Sequence, residues 1–166
     1  KRFGDREEFL ALKAAGEFPF GSVPVLYIED SDVTTTIAQS PAIMRYAGKL
    51  CGMYPEDPTA AALVDQVVDG ANDATAKVMA AGKEGGAEVA AQWLQFYDSL
   101  LHKAGSVYFD GIGLSIAEIC VHCMMSFLSR MVDMNSLPED YPFLSAMLDE
   151  VASNPKVAEW TLSHKL

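Results

Sequence analysis

The hydrophobic pattern of this chain changes character once, near residues 51–59, and no other feature constrains its fold as strongly. After that point apolar residues recur at close to the 3.6-residue helical period. Ala60, Leu63, Val64, Val67, Val68, Ala71, Val78 and Met79 form one run, and Val89, Trp93, Leu94, Tyr97, Leu100 and Leu101 form another. Before that point the pattern is mixed. The stretch between, Cys51–Thr59, holds Gly52, Pro55 and Pro58 among polar residues and reads as a linker. The expected organisation is a small α/β piece over 1–50, a linker over 51–59 and an all-helical domain over 60–166.

The helical part carries its own punctuation. Asp57-Pro58 supplies an N-cap carboxylate followed by a proline whose missing N–H is no loss in the first turn. Lys83 to Gly86 interrupts the periodicity, and Gly105 ends the second run. Ser115 and Glu118 have capping-box spacing, and Leu114 with Ile119 can form a hydrophobic staple. The helix that follows is apolar on most faces (Ile116, Ile119, Cys120, Cys123, Met124, Phe127, Leu128, Met131), as expected of the centre of a bundle. Two shorter helices are expected from Pro142 and Pro155.

Phe18 to Ile37 reads as a β-hairpin. Its strands are Val23–Ile28 and Val33–Ile37, rich in β-branched residues, and Glu29 to Asp32 is the turn. Ser40-Pro41 opens a helix, with serine suited to the N-cap and Ala42, Ile43, Tyr46, Ala47 and Leu50 as its apolar stripe. A hairpin with one helix buries little and is marginal alone. Either further strands precede Lys1 or the helical domain covers the sheet.

With 166 residues and 50% hydrophobic content the chain can bury a core without disulfide staples. Its 23 acidic against 12 basic side chains, net charge −11, disfavour nucleic acid and anionic membranes as partners. Three cysteines, Cys51, Cys120 and Cys123, are too few and odd in number for a disulfide framework and fit a reducing, cytoplasmic setting. No apolar run is long enough to span a bilayer. Cys120, His122 and Cys123 lie close in sequence, but 122 faces away from 120 and 123 on a helix, so buried thiols are expected rather than zinc. No metal is expected.

Phe18-Pro19-Phe20-Gly21-Ser22-Val23-Pro24-Val25-Leu26, then Gln39-Ser40-Pro41-Ala42-Ile43-Met44-Arg45-Tyr46, then Tyr54-Pro55-Glu56-Asp57, resembles the cytosolic glutathione transferases, most closely the sigma-like and related classes. The resemblance covers essentially the whole chain. It implies a thioredoxin-like domain followed by an all-α domain, usually in a homodimer. It also implies that a strand and a helix precede the segment beginning at Lys1, which makes the first domain here partial.

The resemblance assigns roles residue by residue. Val23, before a cis Pro24, pairs its backbone with the cysteinyl part of glutathione, as a peptide adds to a strand edge. Ser40, at a helix start, and Gln39 beside it receive the γ-glutamyl carboxylate. Lys13 meets the glycine carboxylate, and Ser22 stands where many relatives carry glutamine. Asp65, Asp69 and Asp73 share a helix face at spacings where like charges repel, so at least one is expected to meet a positive partner. Asp73 falls where the family places an acid that reaches across the dimer to the γ-glutamyl ammonium. Phe20 matches the aromatic that inserts between helices of the partner subunit, and Asp69 is assigned to the same interface. Phe9 replaces a tryptophan common in relatives.

The implied reaction is attack of glutathione thiolate on a hydrophobic electrophile, with glutathione as substrate. The electrophile is expected to bind between the two domains, in a pocket lined by Met79, Lys77 and the Trp160 region. In relatives a tyrosine or serine on the first strand activates the thiol. That role falls to neither Tyr27 nor Tyr46, and no catalytic residue is assigned. The alternative is a non-catalytic structural or interaction module of the same fold. The retained ligand residues favour the transferase.

Overall fold

The structure, a computed structural model, describes residues 6–31, 33–132 and 140–164. It divides into two compact units, residues 1–50 and 51–166.

The first unit runs α1 (Arg6–Ala14), β1 (Val25–Asp30), β2 (Val33–Ala38) and α2 (Ser40–Leu50). The strands form one antiparallel hairpin in which Val25 faces Ala38 and Asp30 faces Val33. β1 starts two residues later than the sequence pattern suggests, because Pro24 has no N–H to give the ladder. Of the expected turn, Ser31 takes a positive φ of 53°. Asp32 lies outside the described residues. Phe18 turns inward and stacks on Phe9 at 5.5 Å between ring centroids. Phe18 and Gly48 are the buried residues among those described in this unit.

The second unit is helical: α3 (Pro58–Ala104), α4 (Ile116–Leu128), α5 (Pro142–Ser153) and α6 (Pro155–His164). The Asp57 carboxylate caps α3, accepting from the backbone N–H groups of Thr59 and Ala60 at 3.0 and 2.8 Å. Gly105 closes α3 in the left-handed region at φ 64°.

α3 is two helices rather than one rod. In a straight helix Gly70 and Tyr97 would lie about 40 Å apart, yet a Cβ at Gly70 would sit 3.2 Å from the Tyr97 hydroxyl. The halves run antiparallel about Gly82, whose φ 64°, ψ −161° breaks the helix. The sequence pattern put this break at Lys83 to Gly86. Gly86 serves a different purpose. It is buried, and a Cβ there would lie 3.0 Å from a Val132 methyl, so glycine permits close packing rather than a turn.

The core of this unit is built by α3, α4 and α5. Val64, Val67, Val68, Val78, Leu94 and Leu101 meet Val121, Leu128, Leu144 and Met147, all nearly or fully buried. α4 begins with the expected capping box. Ser115 Oγ accepts from Ala117 N–H at 3.1 Å, and Glu118 Oε2 accepts from Ser115 N–H at 2.8 Å. Glu118, fully buried, also accepts from Phe109 N–H at 2.8 Å, which ties the preceding loop to the helix. Burial pushes its carboxyl pKa up, opposed by these hydrogen bonds. The linker is held here too, since Ile116 N–H donates to Met53 C=O at 3.0 Å.

Candidate functional site

An antiparallel hairpin brings the start of its first strand beside the end of its second. Because Val25 faces Ala38, the residues just outside the ladder, Val23-Pro24 and Gln39-Ser40, share one end of the sheet. The Val23–Pro24 bond is cis. Gln39 adopts φ 74°, uncommon for a residue with a side chain, and such positions concentrate at ligand sites.

The helix start differs by one residue from the sequence reading. Ile43 N–H donates to Gln39 C=O at 3.0 Å, so Gln39 occupies the N-cap position and Ser40 the first helical one. The strained turn at Gln39 moves the boundary. Ser40 Oγ is thereby not used as a cap, and it stands at the positive end of the helix dipole.

Lys13 joins this end of the unit from the last turn of α1. Its Cε would lie 3.4 Å from a Cβ placed at Gly21, so its stem passes over a glycine held at φ 64°. That glycine closes a turn in which Gly21 N–H donates to Phe18 C=O at 2.8 Å. Ser22 follows, exposed. Among the described residues the side chains of Lys13, Ser22, Gln39 and Ser40 make no hydrogen bond or ion pair. A lysine, a helix N-terminus and a short length of unladdered backbone suit an extended peptide with a carboxylate at each end. Tyr27 is engaged elsewhere, donating its hydroxyl to Glu17 C=O at 3.2 Å.

The second unit holds the acidic face. Asp65 accepts from the Tyr54 hydroxyl at 2.8 Å, and Asp69 is also partnered. Asp73 is exposed and has no hydrogen bond or ion pair among the described residues. The structure thus separates three carboxylates that sequence spacing could not rank. Lys77 lies over the Trp93 ring, 4.9 Å from its centroid. Met79 is 53% exposed.

Trp160 does line an apolar cavity. It lies between α4 and α6, with a volume of about 390 Å³, and its walls include Ile119, His122, Cys123, Val157 and Trp160. Lys77 and Met79 are not among its walls. Cys120 is buried as the helix pattern implies, whereas Cys123 is exposed. Burial lowers the His122 pKa. Among the described residues no cluster of three or more His, Cys, Asp or Glu could hold a metal ion, and no helix is long and apolar enough to cross a membrane.

Phe20 is the reverse of Phe18. It stands 68% exposed on the turn before the cis proline and contributes to no local core. A second cavity, about 360 Å³, opens between the two halves of α3 beside Leu63, Val67, Leu100 and Phe109.

Residues 64–164 match the glutathione S-transferase C-terminal domain family. The chain is 30% identical to bovine (Bos taurus) glutathione S-transferase P over 95% of its own length and 80% of that protein's. It is 30% identical to glutathione S-transferase 2 of Manduca sexta, over 84% and 72%. The solved structure of NaGST-2 superposes with a TM-score of 0.78 at 25% identity, covering 96% of this chain and 81% of that one. The chain belongs to the glutathione S-transferase family. Its fold is the family's, part of a thioredoxin-like domain followed by a helical one.

Proposed function

We propose that this chain binds glutathione at the hairpin end formed by Val23-Pro24 and Gln39-Ser40 and transfers its thiolate to hydrophobic electrophiles. The observation that carries this reading is the meeting of four elements at one end of the first unit. They are a cis X-Pro bond, a strained Gln39, Ser40 in the first turn of α2, and Lys13, which makes no ion pair among the described residues.

The Val23 backbone pairs with the cysteinyl backbone, while Ser40 Oγ, the N-terminus of α2 and Gln39 take the γ-glutamyl carboxylate. Lys13 takes the glycine carboxylate, with Ser22 beside it. Asp73 of a second copy receives the γ-glutamyl ammonium; its exposure and its having no hydrogen bond or ion pair among the described residues support this. In the reaction the sulfur forms a bond to carbon, the leaving group departs with its electron pair and the thiol proton passes to solvent. The hydroxyl that lowers the thiol pKa is assigned to no residue here.

The partner is a second copy. Phe20 inserts between the halves of the partner's α3, in the cavity beside Leu63 and Phe109, with Asp69 at the same interface. The electrophile's apolar character matches the cavity at Trp160. The setting is cytoplasmic. The test is calorimetric titration with glutathione, paired with turnover of a model aryl halide. Saturable binding is expected. A chain that neither binds glutathione nor consumes the halide overturns the reading.

A further inference from the structure

Gly70, Asp73 and Lys77 lie on one face of the first half of α3, and the Trp93 ring from the second half spans them. A Cβ at Gly70 would lie 3.4 Å from Trp93 Cζ3, and Lys77 Nζ stands 4.9 Å from the ring centroid. Asp73 sits between the two contacts.

Its spacing to Lys77 is the one at which an acid followed four residues later by a lysine forms the favoured helical ion pair. That pair is absent among the described residues. The ammonium is instead on the indole face, held by attraction to the ring quadrupole.

We infer that Trp93 is a positioning residue that holds Lys77 off Asp73, so that the carboxylate stays open for the ammonium of glutathione. The inference rests on the proposed role of Asp73. Lys77 is the nearest competitor for that carboxylate along the helix, and a ligand ammonium must displace it wherever the two pair. Tethering Lys77 to the ring removes the competition in advance. Gly70 contributes by letting the ring approach the helix backbone, where any side chain would crowd it.

Glutathione affinity of four variants tests this: Asp73→Asn, Trp93→Leu, Lys77→Met and the Trp93→Leu, Lys77→Met double variant. Asp73→Asn weakens binding if the underlying role is right; if it does not, that role fails first. Given that loss, Trp93→Leu weakens binding on the order of two-fold at low salt, the scale of one exposed helical ion pair. The double variant binds like Lys77→Met alone, and the Trp93→Leu effect shrinks at high salt. Equal weakening by Trp93→Leu with and without Lys77, or no weakening, overturns the inference. Should Trp93→Leu not fold, the unmodified chain decides by NMR. The Lys77 ε-methylene protons are shifted upfield by the indole ring, and random-coil positions overturn the inference.

Discussion

The two units reach their shapes by opposite means. The helical unit owns nearly the whole buried apolar set, and its buried Glu118, Ser115 and Asp98 are each hydrogen-bonded, whereas the buried Tyr97 hydroxyl has no hydrogen-bond partner among the described residues. The hairpin unit buries only Phe18 and Gly48 among its described residues and sets its form by turns: a cis proline, a positive-φ glutamine, Gly21 and Ser31. A packed core tolerates little change in volume or pairing. A surface built from turns leaves its polar side chains unspent, and those are the ones available to a ligand. Substitutions in the buried core of the helical unit are therefore expected to change stability, and those in the hairpin unit, together with the exposed Asp73 face of α3, to change binding.

The strongest test of that division is Glu118→Ala. It leaves the buried N–H groups of Phe109 and Ser115 without acceptors, at a cost of about 3–4 kcal/mol in unfolding free energy. Asp98→Ala comes next. α5 begins at Tyr141 with no side-chain cap of its own, and Asp98 supplies one from α3, accepting from Phe143 and Leu144 N–H at 2.8 and 2.9 Å. Its loss is expected to cost about 2 kcal/mol. Denaturant melts measure both, and small losses at either position would dissolve the contrast between the units.

In the hairpin unit the readouts change. Phe20→Ala removes an exposed aromatic, so the fold is expected to survive while self-association weakens by about 2 kcal/mol. Analytical ultracentrifugation measures this, and an unchanged association constant removes Phe20 from the interface. Ser40→Ala is expected to weaken glutathione binding roughly five-fold, about 1 kcal/mol, and to move stability by less than about 0.5 kcal/mol. If Ser40→Ala instead destabilises the chain without touching affinity, the serine is a structural residue and the hydroxyl is not part of the ligand site.

How much was legible in the sequence follows the same line. Caps and patterns read well, because each is local: Asp57-Pro58, Gly105, Ser115 with Glu118, and helix starts at Pro142 and Pro155 all stand where local chemistry puts them. Glycines read poorly. Gly82 breaks a helix and Gly86 packs against Val132, and nothing local tells the two apart. Asp98 was invisible as a cap because its partners lie 45 and 46 positions away. In the candidate site, the residues, Asp73 included, came from the family motif, while helical spacing alone could not rank Asp73 over Asp65 and Asp69; the structure adds that the latter two have partners. Tyr54, which occupies Asp65, sits in the linker, outside any helical pattern. The contact of Lys77 with Trp93 was hidden for the same reason, since only the fold-back at Gly82 brings the ring beneath it.

The smallest expected effect is a pH dependence confined to the helical unit. Burial lowers the His122 pKa from its ordinary 6.5. Just below pH 6.5 the unfolded chain takes up a proton that the folded chain refuses, so stability is lost as pH falls through that window toward the lowered folded value. Glu118 acts in the opposite sense. Burial raises its pKa from 4.5, so the folded chain keeps a proton the unfolded chain has released, and stability is lost as pH rises through the raised value. The two slopes oppose one another, which makes the wild-type profile shallow and a single substitution informative. His122→Phe leaves the acid slope alone and flattens the loss below pH 6.5, read as melting temperature against pH. Glutathione affinity is expected to keep its wild-type pH profile in that variant, because His122 belongs to the packed unit and the ligand's carboxylate partners to the other. A shift of both profiles together would show that the packed core around His122 and the ligand site are not independent.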